Sequence, residues 1–178
     1  MYSDFLKKER MIAGFTLIET LVAILIFSMA MAGLLLVVSY GIQSSVDNQH
    51  FLRAQFLALE GIEIARNARD NYFLSVSGNS WDSELGGCPI SNDRDRACEI
   101  TFSSGLLAEC NPADDCRVRY DSATRLYGTY GQDTVFRRKI FLEKLSDDEV
   151  LLSVDVSWPH RDGSERVFTL QENLRLWR

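Results

Sequence analysis

The residues that could perform catalysis are few in this sequence, and three of them lie close together near one predicted turn. Only two histidines occur, His50 and His160, and Ser157 and Asp162 flank the second of them. A hydroxyl nucleophile needs a base and an orienting acid that converge in space, which side chains at a strand end and its turn need not do. The chain also contains no G-x-S-x-G, P-loop or H-E-x-x-H pattern. The sequence therefore does not indicate an enzyme.

Two acidic pairs, Asp93/Asp95 and Asp114/Asp115, are candidate ligands for Ca²⁺. This ion requires several oxygen ligands around one centre, whereas acids in turns are commonly satisfied by water. Solvated turn acids are the simpler interpretation. We therefore expect no bound metal and no cofactor.

Four cysteines, at Cys88, Cys98, Cys110 and Cys116, fall in one short part of the chain. Their even number and clustering predict two disulfides in an oxidising compartment. A zinc site is the alternative, but its usual signature is a closely spaced cysteine pair, and the separations here are 10, 12 and 6 residues. Three disulfide pairings are possible. We favour the local one, which joins Cys88 to Cys98 and Cys110 to Cys116.

The longest apolar segment, "TLVAILIFSMAMAGLLLVVSYGI", runs from Thr20 to Ile42 without a charged residue. As a helix it would be about 35 Å long, enough to span a hydrocarbon core of about 30 Å. Lys7, Lys8 and Arg10 precede it and predict that the N-terminus stays cytoplasmic. The rest of the chain then lies outside the inner membrane, where disulfides form. A cleaved signal peptide is disfavoured, because the apolar run is too long and no small-residue cleavage site follows it.

The charge balance argues against a nucleic-acid partner. The formal net charge is −6 and the sequence pI is about 5.0, whereas nucleic-acid affinity comes largely from basic residues that neutralise phosphates. One basic run, Arg137-Arg138-Lys139, remains. At alternating positions of a strand its side chains are expected to be divided between two faces.

Residues 14–19, "GFTLIE", resemble the cleavage and methylation motif of type IV prepilins and type II secretion pseudopilins. A short basic leader ends at Gly14, Phe15 follows, and Glu19 stands at the start of an otherwise apolar helix. The resemblance implies that a membrane-embedded prepilin peptidase cuts between Gly14 and Phe15 on the cytoplasmic side. It also implies that the new amine of Phe15 is methylated.

Glu19 is the one acid at the edge of the apolar segment, and an intramembrane carboxylate is costly unless it finds a partner. Cleavage would create a positive amine at Phe15. The resemblance implies that Glu19 attracts the N-terminal amine of a neighbouring subunit during filament assembly. The alternative is that the Glu19 side chain only extends to the membrane–water interface.

A second helical pattern follows the apolar segment. Apolar and small residues recur at steps of three and four between Val46 and Tyr72, and the opposite face is charged, which predicts an amphipathic continuation of the same helix. The stripe comprises Val46, Ala54, Leu57, Ala58, Gly61, Ile62, Ala65, Ala68 and Tyr72. It must pack against another element, for which a sheet is the natural candidate.

The remaining sequence predicts a cysteine-bearing loop over residues 74–97 and then a series of strands. The short candidates are residues 99–103, 117–121 and 125–131, and the long ones are 134–145, 148–158 and 165–177. In the middle long run, Val150, Leu152, Val154, Val156 and Trp158 alternate with other residues, so one face is expected to be buried. The predicted fold is α+β, with a long N-terminal helix packed on an antiparallel meander, as in pilins.

These observations divide the chain into four parts: a cytoplasmic leader (1–14), a transmembrane and assembly helix (15–42), its amphipathic half (43–72), and an extracytoplasmic β-rich domain (73–178). Many major pilins carry a proline in the apolar helix, and none occurs here before Pro89. This favours a minor pilin or pseudopilin that serves as a structural, priming or tip subunit.

The implied partners are prepilin peptidase, other pilin subunits, inner-membrane lipid and the pilus assembly machinery. A tip adhesion module on the same anchor is the first alternative, and it would expose aromatic residues near Trp81, Tyr127 or Tyr130. A DNA-uptake pseudopilin is the second alternative. It would require a basic stripe on the surface of the body.

Overall fold

The computed structural model describes residues 14–75, 84–85, 87–92, 94, 96–101 and 106–175. The chain divides into two compact units, Met1–Ser45 and Val46–Arg178. One helix, α1 (Leu17–Ser75), supplies residues to both units. The predicted leader up to residue 13, the side chain of Trp81, and the acids Asp93 and Asp95 lie outside the described residues.

The described part of the first unit is helical from Leu17, and its large apolar side chains are exposed throughout. An 18-residue stretch of α1 has a mean hydropathy of 2.9, and none of that stretch is buried. An α-helix satisfies its own backbone hydrogen bonds, so a segment of this kind is suited to a lipid environment. The length and composition therefore agree with a single membrane anchor.

The described residues of the second unit include nine strands. Two of them, β1 (Glu84–Leu85) and β2 (Cys88–Pro89), form a small antiparallel ladder. The other seven form one antiparallel sheet: β3 (Cys98–Thr101), β4 (Leu106–Glu109), β5 (Arg117–Asp121), β6 (Leu126–Gly128), β7 (Gln132–Ser146), β8 (Glu149–Pro159) and β9 (Glu165–Arg175).

Strand β7 is the centre of this sheet. It pairs with β8 along one flank and with both β3 and β5 along the other. The pairs β3–β4 and β5–β6 complete that second side, and β9 pairs with β8 on the first side. Gly131 precedes β7 with a φ of 118°, and a Cβ atom there would lie 2.4 Å from the Tyr120 carbonyl oxygen, so only glycine allows this close approach.

The core lies between the sheet and the amphipathic part of α1. The alternating residues of β8 are buried, and the helix contributes small and aliphatic residues to the same cluster. The helical members are Ala54, Leu57, Ala58, Ile62, Ala65 and Ala68. At Gly61 a Cβ atom would lie 3.1 Å from a methyl group of Val154, so the missing side chain lets the helix approach the sheet closely.

The predicted α+β architecture is confirmed, and the buried face of β8 is the one that the alternation indicated. Three details differ. The helix ends at Ser75, a few residues later than predicted. Val46, assigned to the buried stripe, is exposed. The segment interpreted as a long loop contains β1 and β2, which are too short to show a repeating pattern.

Candidate processing and assembly site

The chain enters α1 through three non-helical residues, Gly14, Phe15 and Thr16. The Thr16 carbonyl oxygen accepts hydrogen bonds from the backbone N–H groups of Glu19 (3.1 Å) and Thr20 (3.2 Å). The Thr16 hydroxyl oxygen accepts a further one from the Glu19 N–H at 3.3 Å. Thr16 is therefore the N-cap of the helix. We did not predict this role, although T-x-x-E is the pattern of a capping box.

The step between Gly14 and Phe15 is open to a partner. Phe15 is 79% exposed, and a Cβ atom added at Gly14 would contact nothing within 4 Å. No internal packing therefore requires glycine at position 14 among the described residues. A peptidase that cuts only after glycine would explain why glycine occupies this position.

Glu19 lies in the first turn of α1 and is exposed. A carboxylate there is favoured by the positive end of the helix dipole. Farther along the apolar segment, the hydroxyls of Thr20, Ser28 and Ser39 donate to the carbonyl oxygens of Leu17, Ile24 and Leu35 at 2.7–2.8 Å. These bonds satisfy the side-chain hydroxyls within the helix. Glu19 is the one acidic residue of this segment.

The cysteines form the two local disulfides, Cys88–Cys98 and Cys110–Cys116, and no cysteine is free. The first joins β2 to β3 and is fully buried in the core. The second closes the turn that leads into β5. Both cross-links lie in the second unit, which agrees with an oxidising compartment for that unit.

The acids of this turn are paired with cations of the protein itself. Asp114 contacts Arg119 at 2.6 Å, and Asp115 contacts Arg137 at 3.1 Å and Lys139 at 2.6 Å. Among the described residues, no group of three or more histidine, cysteine or acidic side chains is arranged to hold a metal ion.

The basic run of β7 is divided between two faces, as predicted. Arg137 and Lys139 lie on the face that carries Asp115, whereas Arg138 is buried under α1. The Arg138 guanidinium donates to the Glu60 carboxylate at 2.7 Å and to the Leu57 carbonyl oxygen at 3.2 Å. These three residues therefore do not form a basic stripe on the surface.

The residues considered for catalysis do not form a triad. His160 Nδ1 lies 3.0 Å from an Asp162 carboxylate oxygen, and Nε2 lies 3.7 Å from a carboxylate oxygen of Asp47. Both ring nitrogens therefore face acids rather than the Ser157 hydroxyl. The pKa of Asp162 is lowered well below its usual range, chiefly because the Ser164 hydroxyl and backbone N–H donate to it and His160 lies beside it.

The aromatic residues proposed for adhesion are divided. Tyr130 is exposed, but Tyr127 packs against the core and against Tyr120, with 5.1 Å between ring centroids. The described residues therefore show no continuous aromatic patch at this place.

Comparison with known proteins gives one match. Residues 10–35 match the family model described as the prokaryotic N-terminal methylation motif, which is the signature of type IV pilins and pseudopilins. No curated protein and no solved structure matches the chain. The motif confirms the resemblance of residues 14–19, and together with the apolar helix it fits a membrane-anchored, pilin-like substrate of prepilin peptidase.

Proposed function

We propose that this chain, which carries the N-terminal methylation motif of type IV pilins and pseudopilins, is a minor pilin or pseudopilin. It is inserted in the inner membrane with a cytoplasmic N-terminus, cut between Gly14 and Phe15, and methylated on the Phe15 amine. It then enters a pilus or secretion pseudopilus as a structural or priming subunit. The observation that carries this proposal is the motif at an exposed glycine–phenylalanine step, directly before a capped apolar helix.

Glu19 has an assembly role in this proposal. In lipid, its carboxylate would attract the Phe15 amine of a neighbouring subunit, because charges interact strongly where water is excluded. Desolvation offsets part of this gain. The exposure of Glu19 at the helix start supports the assignment, since its side chain is accessible to a second chain.

The processing claim is tested by co-expression of the full chain with a prepilin peptidase, followed by mass spectrometry of the N-terminus. We expect a mature chain that begins at methylated Phe15. Gly14→Ala should remain uncut, whereas Gly33→Ala should be cut normally. Gly33 is the matched control because a Cβ atom would contact nothing within 4 Å at either glycine. Normal cutting of Gly14→Ala, or a different N-terminus, would refute the proposed processing.

The role of the Glu19 side chain must be separated from helix capping, since the Glu19 backbone N–H donates to both the carbonyl and the hydroxyl oxygen of Thr16 at the helix start. We expect Glu19→Ala to be cut normally but to be depleted from sheared filaments, while Thr16→Ala is cut and incorporated. If both variants assemble equally poorly, the effect of Glu19 is exerted through the helix start. If both assemble normally, Glu19 has no assembly role.

A further inference from the structure

A pocket of about 320 Å³ lies in the second unit, where the helix passes the end of β8 and the start of β9. Asp47, Asn48 and Phe51 line it from α1. Trp158 and Arg166 line it from the sheet, and they lie directly across from each other on the two strands. Phe51 is 43% exposed and Trp158 is 6% exposed, so the pocket combines aromatic rings with charged groups. Its volume suits a small charged group with the beginning of an apolar chain.

Two charged side chains of this pocket are available to a ligand. The Arg166 side chain is exposed and forms no ion pair or hydrogen bond with the residues that the structure describes. Asp47 lies 3.7 Å from Nε2 of His160, which is too far for a hydrogen bond, and its side chain is 41% exposed. His160 also faces Asp162 at 3.0 Å, so Asp47 shares this ring with a closer acid. A ligand that carries both a negative and a positive charge is therefore complementary to the pocket.

The helical residues of the pocket follow the apolar segment closely in the sequence. Asp47 comes five positions after Ile42, the last residue of that segment. Five residues of a helix rise about 7.5 Å, which is similar to the depth of about 5–8 Å of the headgroup layer on each side of the hydrocarbon core. Arginine and aromatic side chains also favour this layer. The inference rests on the proposed function in this respect, since it requires the apolar segment to span the inner membrane.

We propose that the pocket binds the headgroup of a zwitterionic phospholipid that carries a primary amine. Arg166 binds the phosphate, because a guanidinium presents paired N–H donors to phosphate oxygens. The Asp47 carboxylate and the amide oxygen of Asn48 accept hydrogen bonds from the ammonium group. The rings of Phe51 and Trp158 contact the glycerol backbone and the first carbons of the acyl chains.

The amine determines which class of lipid is selected. A primary ammonium donates charge-assisted hydrogen bonds to the Asp47 carboxylate, whereas the quaternary amine of a choline headgroup has no N–H group to donate. A glycerol headgroup brings a net negative charge and no cation, so it leaves Asp47 without a partner. The ethanolamine headgroup is therefore expected to bind more tightly than the other two.

The proposal can be tested by measuring which lipids the purified full chain retains. The chain is reconstituted in vesicles that contain equal amounts of phosphatidylethanolamine, phosphatidylcholine and phosphatidylglycerol with identical acyl chains. Lipids that stay bound are identified by native mass spectrometry. We expect phosphatidylethanolamine to be retained at least about fivefold more than either of the other two. Equal retention, or a preference for another headgroup, would overturn the proposal.

Substitutions in the pocket separate its lipid from lipid that only surrounds the apolar helix. Asp47→Asn should reduce the preference over phosphatidylcholine to less than about twofold, because a neutral amide replaces the carboxylate that accepts from the ammonium. Arg166→Gln should lower the retention of phosphatidylethanolamine at least about threefold, because the contact with the phosphate is lost. The matched controls are Asp70→Asn on α1 and Arg175→Gln on β9, two exposed ion-pair residues outside the pocket. Both should retain lipid as the unaltered chain does. A preference that survives Asp47→Asn, or control variants that lose as much lipid, would contradict the assignment.

A photoreactive phosphatidylethanolamine locates the bound lipid without any substitution. With its diazirine next to the glycerol, it should label residues 47–51 or 158–166 of the chain in vesicles. Labelling confined to the apolar residues 17–42 would refute the pocket. Ethanolamine phosphate without acyl chains, added at the same total concentration, should not reduce the labelling, because the anchor keeps the lipid at a high local concentration. If it does reduce the labelling, the pocket belongs to a soluble ligand and the proposal is wrong.

Processing is measured separately, by sequencing the N-terminus of the chain from membranes of cells that also express a prepilin peptidase. The lipid preference of the reconstituted chain does not depend on this cut. Chains that are cut after Gly14 but show no headgroup preference would refute the lipid site and leave the proposed function standing. Uncut chains would refute the proposed function.

Discussion

Removal of the Glu60 carboxylate should destabilise the second unit more than removal of the arginine that it contacts. Arg138 is only 3% exposed, and burial lowers the pKa of its guanidinium, yet arginine stays protonated in proteins. Glu60→Ala therefore leaves a buried positive charge without its 2.7 Å partner. Breaking a buried pair in this way costs about 3–5 kcal/mol. The Glu60 side chain is 37% exposed, so water can replace part of its interaction with the arginine. We therefore expect the free energy of unfolding to fall by about 2 kcal/mol.

Arg138→Met should lower the free energy of unfolding by less, below about 1 kcal/mol. Methionine fills much of the same space without a charge to desolvate, and the freed Glu60 carboxylate can turn towards water. The double variant should be about as stable as Arg138→Met alone, because no buried charge is left for Glu60 to compensate. The two effects are therefore not additive, and their coupling free energy is about 2 kcal/mol.

The assay is urea unfolding of the full chain in detergent micelles, followed by tryptophan fluorescence, since Trp158 is buried in the core. Glu63→Ala is the matched control on the same helix. Its pair with Arg66 is exposed, so the loss should be below about 0.5 kcal/mol. If Arg138→Met proves more damaging than Glu60→Ala, the pair is net stabilising and the desolvation argument is wrong.

Two further predictions concern the second unit. Gly131→Ala should destabilise it by about 3 kcal/mol, because the new Cβ would collide with the Tyr120 carbonyl. Gly163 also has a positive φ but has open space around it. Gly163→Ala should therefore destabilise the unit by only about 1 kcal/mol. Similar midpoints in urea for the two variants would refute the collision. Burial and the nearby Asp114 raise the pKa of Glu99 above 4.5, so the native state binds more protons than the unfolded state above that pH. Its free energy of unfolding must then fall as the pH rises through the raised pKa. Glu99→Gln should lack this fall and be more stable at neutral pH, and parallel pH profiles would contradict this.

The sequence predicted the elements whose patterns repeat over many residues. The alternation from Val150 to Trp158 and the three- and four-residue steps of the helix stripe are both long enough to report which face is buried. Strands β1, β2 and β4 have two to four residues, too few for a period to be recognised. Their positions depend on tertiary contacts, such as the Cys88–Cys98 cross-link.

The candidate site was also predictable from the sequence, with one omission. The motif at residues 14–19 is contiguous in the chain, so its residues can be named from the sequence alone. The capping role of Thr16 was also present in the local pattern and was overlooked. The Glu60–Arg138 pair joins residues 78 positions apart. The alternation along β7 indicates that Arg138 lies on the opposite face of the strand from Arg137 and Lys139. No pattern in the sequence identifies which acidic residue of α1 it contacts.

The Glu60–Arg138 pair reinforces a register that the alanine residues of the core specify only weakly. The helix stripe is rich in alanine, with Ala54, Ala58, Ala65 and Ala68 facing the sheet, and similar small residues would pack almost equally well after a slip of one turn. Polar contacts can specify one arrangement where apolar packing does not. Arg138 bonds to Glu60, and Arg66 bonds to both carboxylate oxygens of Glu172 at 2.6–2.8 Å.

A slip of one helical turn, about 5.4 Å, would break both ion pairs and place a side chain where Gly61 now meets Val154. The ion pairs that join α1 to the sheet therefore serve position more than stability. This explains why Arg138→Met is expected to lower the free energy of unfolding by less than about 1 kcal/mol.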